Sequence, residues 1–176
     1  MLKKFVCTFL AALFCFSLTS CSGTLDDDKP FIAVIVKATN SDFWHKVEDG
    51  VTAASIEYNI AVTFEGPESE ENYAAQNRLI EKAIDDGAAA IVLSAISYDA
   101  SSALVEKAAA NGIRVVTIDS TVDSEKIDLF IGTDNYAAGE QAGMAAVGAF
   151  AQDEEIRIGL VNIYESTENG INREKG

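Results

Sequence analysis

Five short apolar runs, each followed by a stretch of helix length, restrict this chain more than any other feature. The runs cover residues 31–36, 60–64, 88–93, 113–118 and 129–131 and are rich in Val and Ile. A strand that is apolar at every position, not at alternate ones, is buried on both faces, as in parallel sheets with helices on both sides. The segments between carry helix signals. Residues 42–58 place Phe43, Val47, Val51, Ala54 and Tyr58 at three- and four-residue steps, which predicts one buried stripe. Gly50 lies inside that helix, where it costs about 1 kcal/mol of helix propensity, so a close approach to the sheet is expected there. The second helix is expected to open with Ser69 as its cap and Glu70 and Glu71 at the positive helix end. It then buries Leu79, Ile80, Ala83 and Ile84 and stops at Gly87. A third spans 98–111 and ends on Asn111 and Gly112, a helix-stop pair. Strand, helix, strand units of this size wind right-handedly, so the expected fold class is α/β with a doubly wound parallel sheet.

In such sheets ligands bind beyond the C-terminal ends of the strands. That edge holds Lys37, Thr39, Asn40, Ser41, Phe43 and Trp44 after the first run, then Asp119 and Ser120 after the fourth, and Thr133, Asp134 and Asn135 after the fifth. No glycine-rich phosphate loop follows the first run, as a nucleotide site there requires. His45 is the single histidine and no cysteine follows Cys21, so no metal cluster, cofactor or catalytic residue is expected. An aromatic pair, an amide, hydroxyls, carboxylates and one lysine suit a polyhydroxylated ligand, whose C–H faces stack on rings while its hydroxyls meet carboxylates and amides. Plainer readings stand beside these. Phe43 and Trp44 also fit a hydrophobic helix start, Asp119 a turn, Asp134 and Asn135 caps of the next helix, and Lys37 a surface lysine paired with an acid.

The N-terminus addresses the protein. Lys3 and Lys4 precede an apolar stretch over 5–18, and Leu18, Thr19, Ser20 and Cys21 follow. That stretch is too short to span a bilayer comfortably and reads as a secretion signal over 1–20. Its last four residues resemble the bacterial lipobox, so Cys21 is expected to become the lipidated first residue of an exported protein anchored at the cell envelope. Residues 21–30, with Asp26, Asp27 and Asp28, read as an acidic tether. Cys7 and Cys15 leave with the signal, so no disulfide is expected. The 13 basic residues, Lys3 and Lys4 among them, stand against 28 acidic ones. Such a surface opposes nucleic acid, whose binding depends on Lys and Arg contacts to phosphate.

From residue 31 to 176 the chain resembles the N-terminal half of the periplasmic sugar-binding proteins of the ribose and galactose type. The residues that carry this are Asn40, Ser41, Asp42, Phe43 and Trp44, then 113–119 reading IRVVTID, then Thr133, Asp134, Asn135 and Tyr136 with Gly139, and finally Arg173 with Gly176. The resemblance implies a ligand-binding lobe over 31–134 and the beginning of a second α/β lobe over 135–176, with a helix near 135–150 and a strand over 156–163. It implies that Asn40, Phe43, Trp44, Asp119 and Arg173 reach a sugar, that Thr133, Asp134 and Asn135 form a hinge, and that Arg173 opens a helix. Two departures bear on the ligand: Ser120 stands where ribose binders carry an arginine, and Lys37 where a small hydroxyl residue is common. With the lysine in the cleft, a carboxylate, a phosphate or an oxygen-rich signal molecule becomes a candidate. The implied partners are a sugar-like ligand, the permease of an ABC importer, and the membrane through the lipid, for a protein monomeric when complete. A second reading presents the ligand to a membrane sensor kinase or chemoreceptor. An enzyme on the same open sheet lacks its catalytic residues. Nothing after Gly176 completes the second lobe, so a truncated member of the family is expected.

Cys21→Ser is expected to abolish lipid attachment, and membrane fractionation checks it. A membrane-bound fraction unchanged by the substitution removes the lipobox reading.

Overall fold

Alternate residues of one strand build two separate cores. The computed structural model describes residues 29–150, 155–162, 164 and 166–176. In β1 (Phe31–Ile35), Ala33 and Ile35 face a cluster with Ile80, Ala83, Ile84, Val105 and Ala108, whereas Val34, with Val36 just beyond the strand, faces a cluster with Trp44, Val47 and Val51. The period of two along a strand sends successive side chains to opposite faces. Both are covered, which is why the run is apolar throughout.

The other elements are α1 (Asp42–Glu57), β2 (Ala61–Glu65), α2 (Tyr73–Asp85), β3 (Ala90–Leu93), α3 (Ser102–Ala110), β4 (Arg114–Ile118), β5 (Leu129–Ile131), α4 (Asn135–Gly148) and α5 (Glu168–Lys175). The strands run parallel in the order β2-β1-β3-β4-β5. Helix α1 covers one face while α2 and α3 cover the other, the doubly wound arrangement read from the sequence. The chain leaves β1 toward β2 on one side and returns to β3 on the other, so the strand order reverses between β1 and β3. That reversal opens the crevice in which such sheets take ligands.

Several local expectations are corrected. Gly50 approaches no neighbouring element: it is exposed, and beyond the backbone of its own helix nothing lies within 4 Å of where a Cβ would stand. The close approach belongs to Gly66, where an added Cβ would meet Val36 O at 2.9 Å. The buried stripe of α1 runs through Trp44, Val47 and Val51, leaving Phe43 and Tyr58 exposed. Helix α2 starts three residues later than expected. Asn72 is its cap, its side chain accepting Ala75 N–H at 3.0 Å, while Ser69 accepts Glu71 N–H at 3.2 Å in the turn before it. Gln76 takes a buried place in that helix where Leu79 was expected, Leu79 being only partly buried. Helix α3 is shorter than 98–111, because 98–101 form the turn before it. Gly87 and Gly112 end their helices as read, at φ +72° and +77°, a backbone region open to residues without a Cβ.

Beyond the sheet, α4 and α5 pack chiefly on each other. The expected strand over 156–163 does not form among the described residues: 156–162 pair with no strand, and Ile158, Leu160 and Val161 stay exposed. Apolar β-branched residues make a strand only where a neighbour accepts their backbone bonds. The signal, Cys7, Cys15, Cys21 and the tether as far as residue 28 lie outside the described residues. No helix among the described residues is long and apolar enough to cross a membrane.

Because Gly50 is exposed and unhindered, Gly50→Ala is expected to stabilise the fold by about 0.5–1 kcal/mol, measured as a rise in the urea midpoint with an unchanged slope.

Candidate functional site

At the crevice between β1 and β3, one buried amide fixes the strand ends. Gln76 Nε2 donates to Val36 O at 3.0 Å and to Ser94 O at 2.8 Å, and its Oε1 accepts Ile96 N–H at 2.9 Å. The next residue after Val36 is Lys37, whose side chain is 4% exposed and whose ammonium lies 2.8 Å from Asp119 Oδ2. The same oxygen accepts the Ser94 hydroxyl at 3.1 Å. Asp119 sits at φ +60°. Ser120 N–H donates back to Ile118 O at 2.6 Å, so the chain closes a three-residue turn around the aspartate. Its carboxylate thereby reaches the residues following β3 and β1. Asp is one of the few side chains that tolerates this backbone region.

Helix α1 supplies the aromatic part. Ser41 is its cap, accepting Trp44 N–H at 3.4 Å. Trp44 is 2% exposed, Phe43 is 58% exposed, and the rings meet edge to face with centroids 4.8 Å apart, a favoured aromatic arrangement. The indole Nε1–H donates to Glu70 Oε1 at 2.9 Å. Lys37, Ser41, Phe43, Trp44, Glu70 and Asp119 form one wall of a cleft of about 230 Å³. Tyr164, Thr167 and Asn169 form the other. Thr167 caps α5, its hydroxyl accepting Gly170 N–H at 3.2 Å. This second wall is tied to the sheet by Tyr98 N–H donating to Ser166 O at 2.9 Å. Tyr98 is held above the ordinary tyrosine range by partial burial and by the nearby Asp123 carboxylate, so at neutral pH its hydroxyl stays a donor, with Asp123 Oδ1 at 3.4 Å.

A family model described as periplasmic binding protein domain matches residues 32–176. The chain belongs to that family. A D-ribose/D-allose-binding protein of Pseudomonas aeruginosa is 28% identical over 175 residues, which cover 90% of this chain and 54% of the relative. Among solved structures, a sugar transporter from Clostridium phytofermentans has a TM-score of 0.76 at 30% identity, covering 84% of this chain and 54% of that one. An ABC transporter solute binding protein from Agrobacterium vitis with bound D-fucose has a TM-score of 0.73 at 35% identity, covering 82% and 50%. The chain thus spans about half the length of the relatives it matches.

Not every residue expected at the site of this periplasmic binding domain lines the cleft. Lys37, Phe43, Trp44 and Asp119 are brought together there. Asn40 is exposed and donates its amide to Glu68 O at 3.0 Å; the neighbouring Ser41 lines the cleft in its place. Ser120 is buried and donates its hydroxyl to Ala95 O at 2.6 Å. Arg173 does not open a helix but stands in the last turn of α5, because the cap at Thr167 starts that helix earlier. It borders a different groove, with Gly139 against its backbone. At the expected hinge, Thr133 is exposed, Asp134 caps α4 by accepting Ala137 N–H at 3.0 Å, and Asn135 is buried with its amide 3.5 Å from Glu168 Oε2. The sequence reading set Ser41 on the strand edge but did not bring Glu70, Tyr164, Thr167 or Asn169 to the cleft. The signal available for the last three was the threonine, two residues, glycine spacing that caps α5.

The ion pair is asymmetric, with the lysine side chain 4% exposed and the aspartate 31%. Asp119→Asn, which keeps the backbone turn feasible, leaves a buried ammonium without its counterion and is expected to cost about 3 kcal/mol of stability, the low end for a broken buried pair because the carboxylate is part-exposed. Lys37→Met should cost less, since water reaches the carboxylate. Urea unfolding of the two variants checks the order, and a larger loss in Lys37→Met contradicts it.

Proposed function

We propose that this chain captures a neutral monosaccharide between the sheet edge and the segment around Thr167, as part of a sugar-binding protein serving an ABC importer. The observation that carries this reading is the cleft at the β1/β3 reversal, where the exposed ring of Phe43 stands beside the carboxylates of Asp119 and Glu70. A ring face for C–H groups and acceptors for hydroxyls are what a sugar needs and what a flat apolar ligand does not. The cleft of about 230 Å³ suits one small ring. The names of the relatives point the same way.

Charge narrows the ligand further. Lys37 is engaged by Asp119 at 2.8 Å, and Glu70 adds a second carboxylate to the same cleft. The local balance is negative, which disfavours the carboxylate or phosphate ligands that a free lysine would attract. Residues 31–134 act in this reading as the first lobe and 135–176 as the start of the second. Thr133, Asp134 and Asn135 are the crossing between them. Cys21 carries the lipid that keeps the exported protein at the envelope.

Trp44 is the single tryptophan of the chain, and it lines the cleft, so its emission reports binding directly. The purified protein is expected to respond saturably to D-ribose, D-allose or D-fucose at millimolar or lower concentration, and not to ribose 5-phosphate. A millimolar dissociation constant corresponds to about −4 kcal/mol. Silence toward all three sugars in fluorescence and thermal-shift measurements overturns the proposal, and preference for the phosphate overturns its charge argument.

A further inference from the structure

We propose that Glu70 is a ligand-facing residue with two duties: one carboxylate oxygen fixes the indole of Trp44, and the other accepts a hydroxyl of the bound sugar. The inference rests on the sugar-binding reading above and names an acceptor within it. From the sequence, Glu70 is set at the positive end of the second helix. It is neither in a helix nor fully solvated, because α2 begins at Tyr73 and Glu70 belongs to the turn between β2 and that helix.

That turn is held in place along its length. Gly66 packs against Val36 O where the segment leaves β2, at a distance that a larger residue would disturb. Asn40 donates its amide to Glu68 O at 3.0 Å, tying the turn to the loop after β1. Ser69 accepts Glu71 N–H at 3.2 Å, and Asn72 caps α2. A carboxylate carried by a segment fixed in this way is placed before ligand arrives, which lowers the ordering cost of binding.

One oxygen is already in use. Trp44 is almost wholly buried, and its indole N–H, a donor without acceptor capacity, meets Glu70 Oε1 at 2.9 Å. A buried indole N–H without a partner is costly, so Glu70 sets how the ring lies against Phe43. The other oxygen has capacity to spare. A carboxylate offers about four acceptor sites, and among the described residues Glu70 accepts the indole bond alone and pairs with no cation. Asp119 differs: one of its oxygens already takes both the Lys37 ammonium and the Ser94 hydroxyl. Of the two carboxylates in the cleft, Glu70 therefore holds the larger unused acceptor capacity. The ligand class it selects is a neutral polyol with a hydroxyl beside the Phe43 and Trp44 rings, in preference to an analogue lacking that hydroxyl.

Two substitutions separate the duties. Glu70→Gln keeps a carbonyl oxygen for the indole and replaces the second acceptor by an amide donor, whereas Glu70→Ala removes both. With D-ribose, D-allose and D-fucose titrated in turn against Trp44 emission, Glu70→Gln is expected to match the parent without sugar and to raise the dissociation constant about tenfold, as for loss of a hydrogen bond to a charged group. Glu70→Ala is expected to shift the emission and acrylamide quenching of Trp44 without sugar and to weaken binding at least as much. Unchanged sugar affinity in Glu70→Gln overturns the acceptor role, and unchanged Trp44 emission in Glu70→Ala overturns the anchoring role. A parent protein that answers to none of the three sugars fails earlier, at the sugar-binding reading, and takes the acceptor role with it, while the sugar-free emission of Glu70→Ala still decides the anchor.

Discussion

The amide of Gln76 is the interaction on which the rest of this site depends. Two strands diverge at the reversal between β1 and β3, and their last carbonyls would otherwise lie buried without partners. One side chain from α2 answers Val36, Ser94 and Ile96 together. A buried polar group is tolerated when each of its hydrogen bonds is made, and the strand ends are tolerated for the same reason. Lys37 directly follows one of the carbonyls that Gln76 holds, and Ser94 carries the other. Their distances to Asp119 are consequences of that stitch as much as of their own chemistry.

Charge at the cleft is arranged with little surplus. A nearly buried ammonium and a part-exposed carboxylate form a pair whose attraction offsets the cost of removing the lysine from water. Such a pair contributes less to net stability than to placement, since each partner fixes the other in the low-dielectric crevice. The aromatic side is built on the same logic. A buried indole is satisfied by a carboxylate from another segment, so each wall of charge or ring is supported by a group that lies outside its own helix or strand.

What could be read from the sequence divides along physical lines. The five strands and their parallel winding followed from their apolar runs, which burial on both faces enforces in the central strands β1 and β3, whereas all three residues of the edge strand β5 are exposed. Helix ends set by glycine at positive φ were equally legible at Gly87 and Gly112. Cap choice was not: Ser69 and Asn72 are both good cap residues, and only the path of the turn around Gly66 decides between them. Asn40 and Ser41 posed the same difficulty, because adjacent residues in a loop point in unrelated directions and nothing periodic distinguishes them. Gly50 misled because a glycine in a helix has two explanations, contact or tolerance, and sequence weighs them alike. The far wall of the cleft was invisible for a further reason. Tyr164, Thr167 and Asn169 reach it through contacts between distant segments, such as Tyr98 with Ser166, and the cap spacing at Thr167 marks a helix start without placing it at the cleft.

The positive φ at Asp119 restricts this position in a way its chemistry alone would not. The backbone there admits glycine, asparagine and aspartate with ease and excludes β-branched side chains. Glycine offers no group to the lysine, and asparagine offers an oxygen without charge. The turn and the buried ammonium therefore act as two independent filters whose overlap contains one residue. Glutamate, the usual conservative exchange, passes the second filter and fails the first. Variation in the lining of such a cleft must then be drawn from neighbours that face one filter alone, Ser41 and Phe43 among them, while residue 119 stays fixed by the geometry of its own peptide bonds.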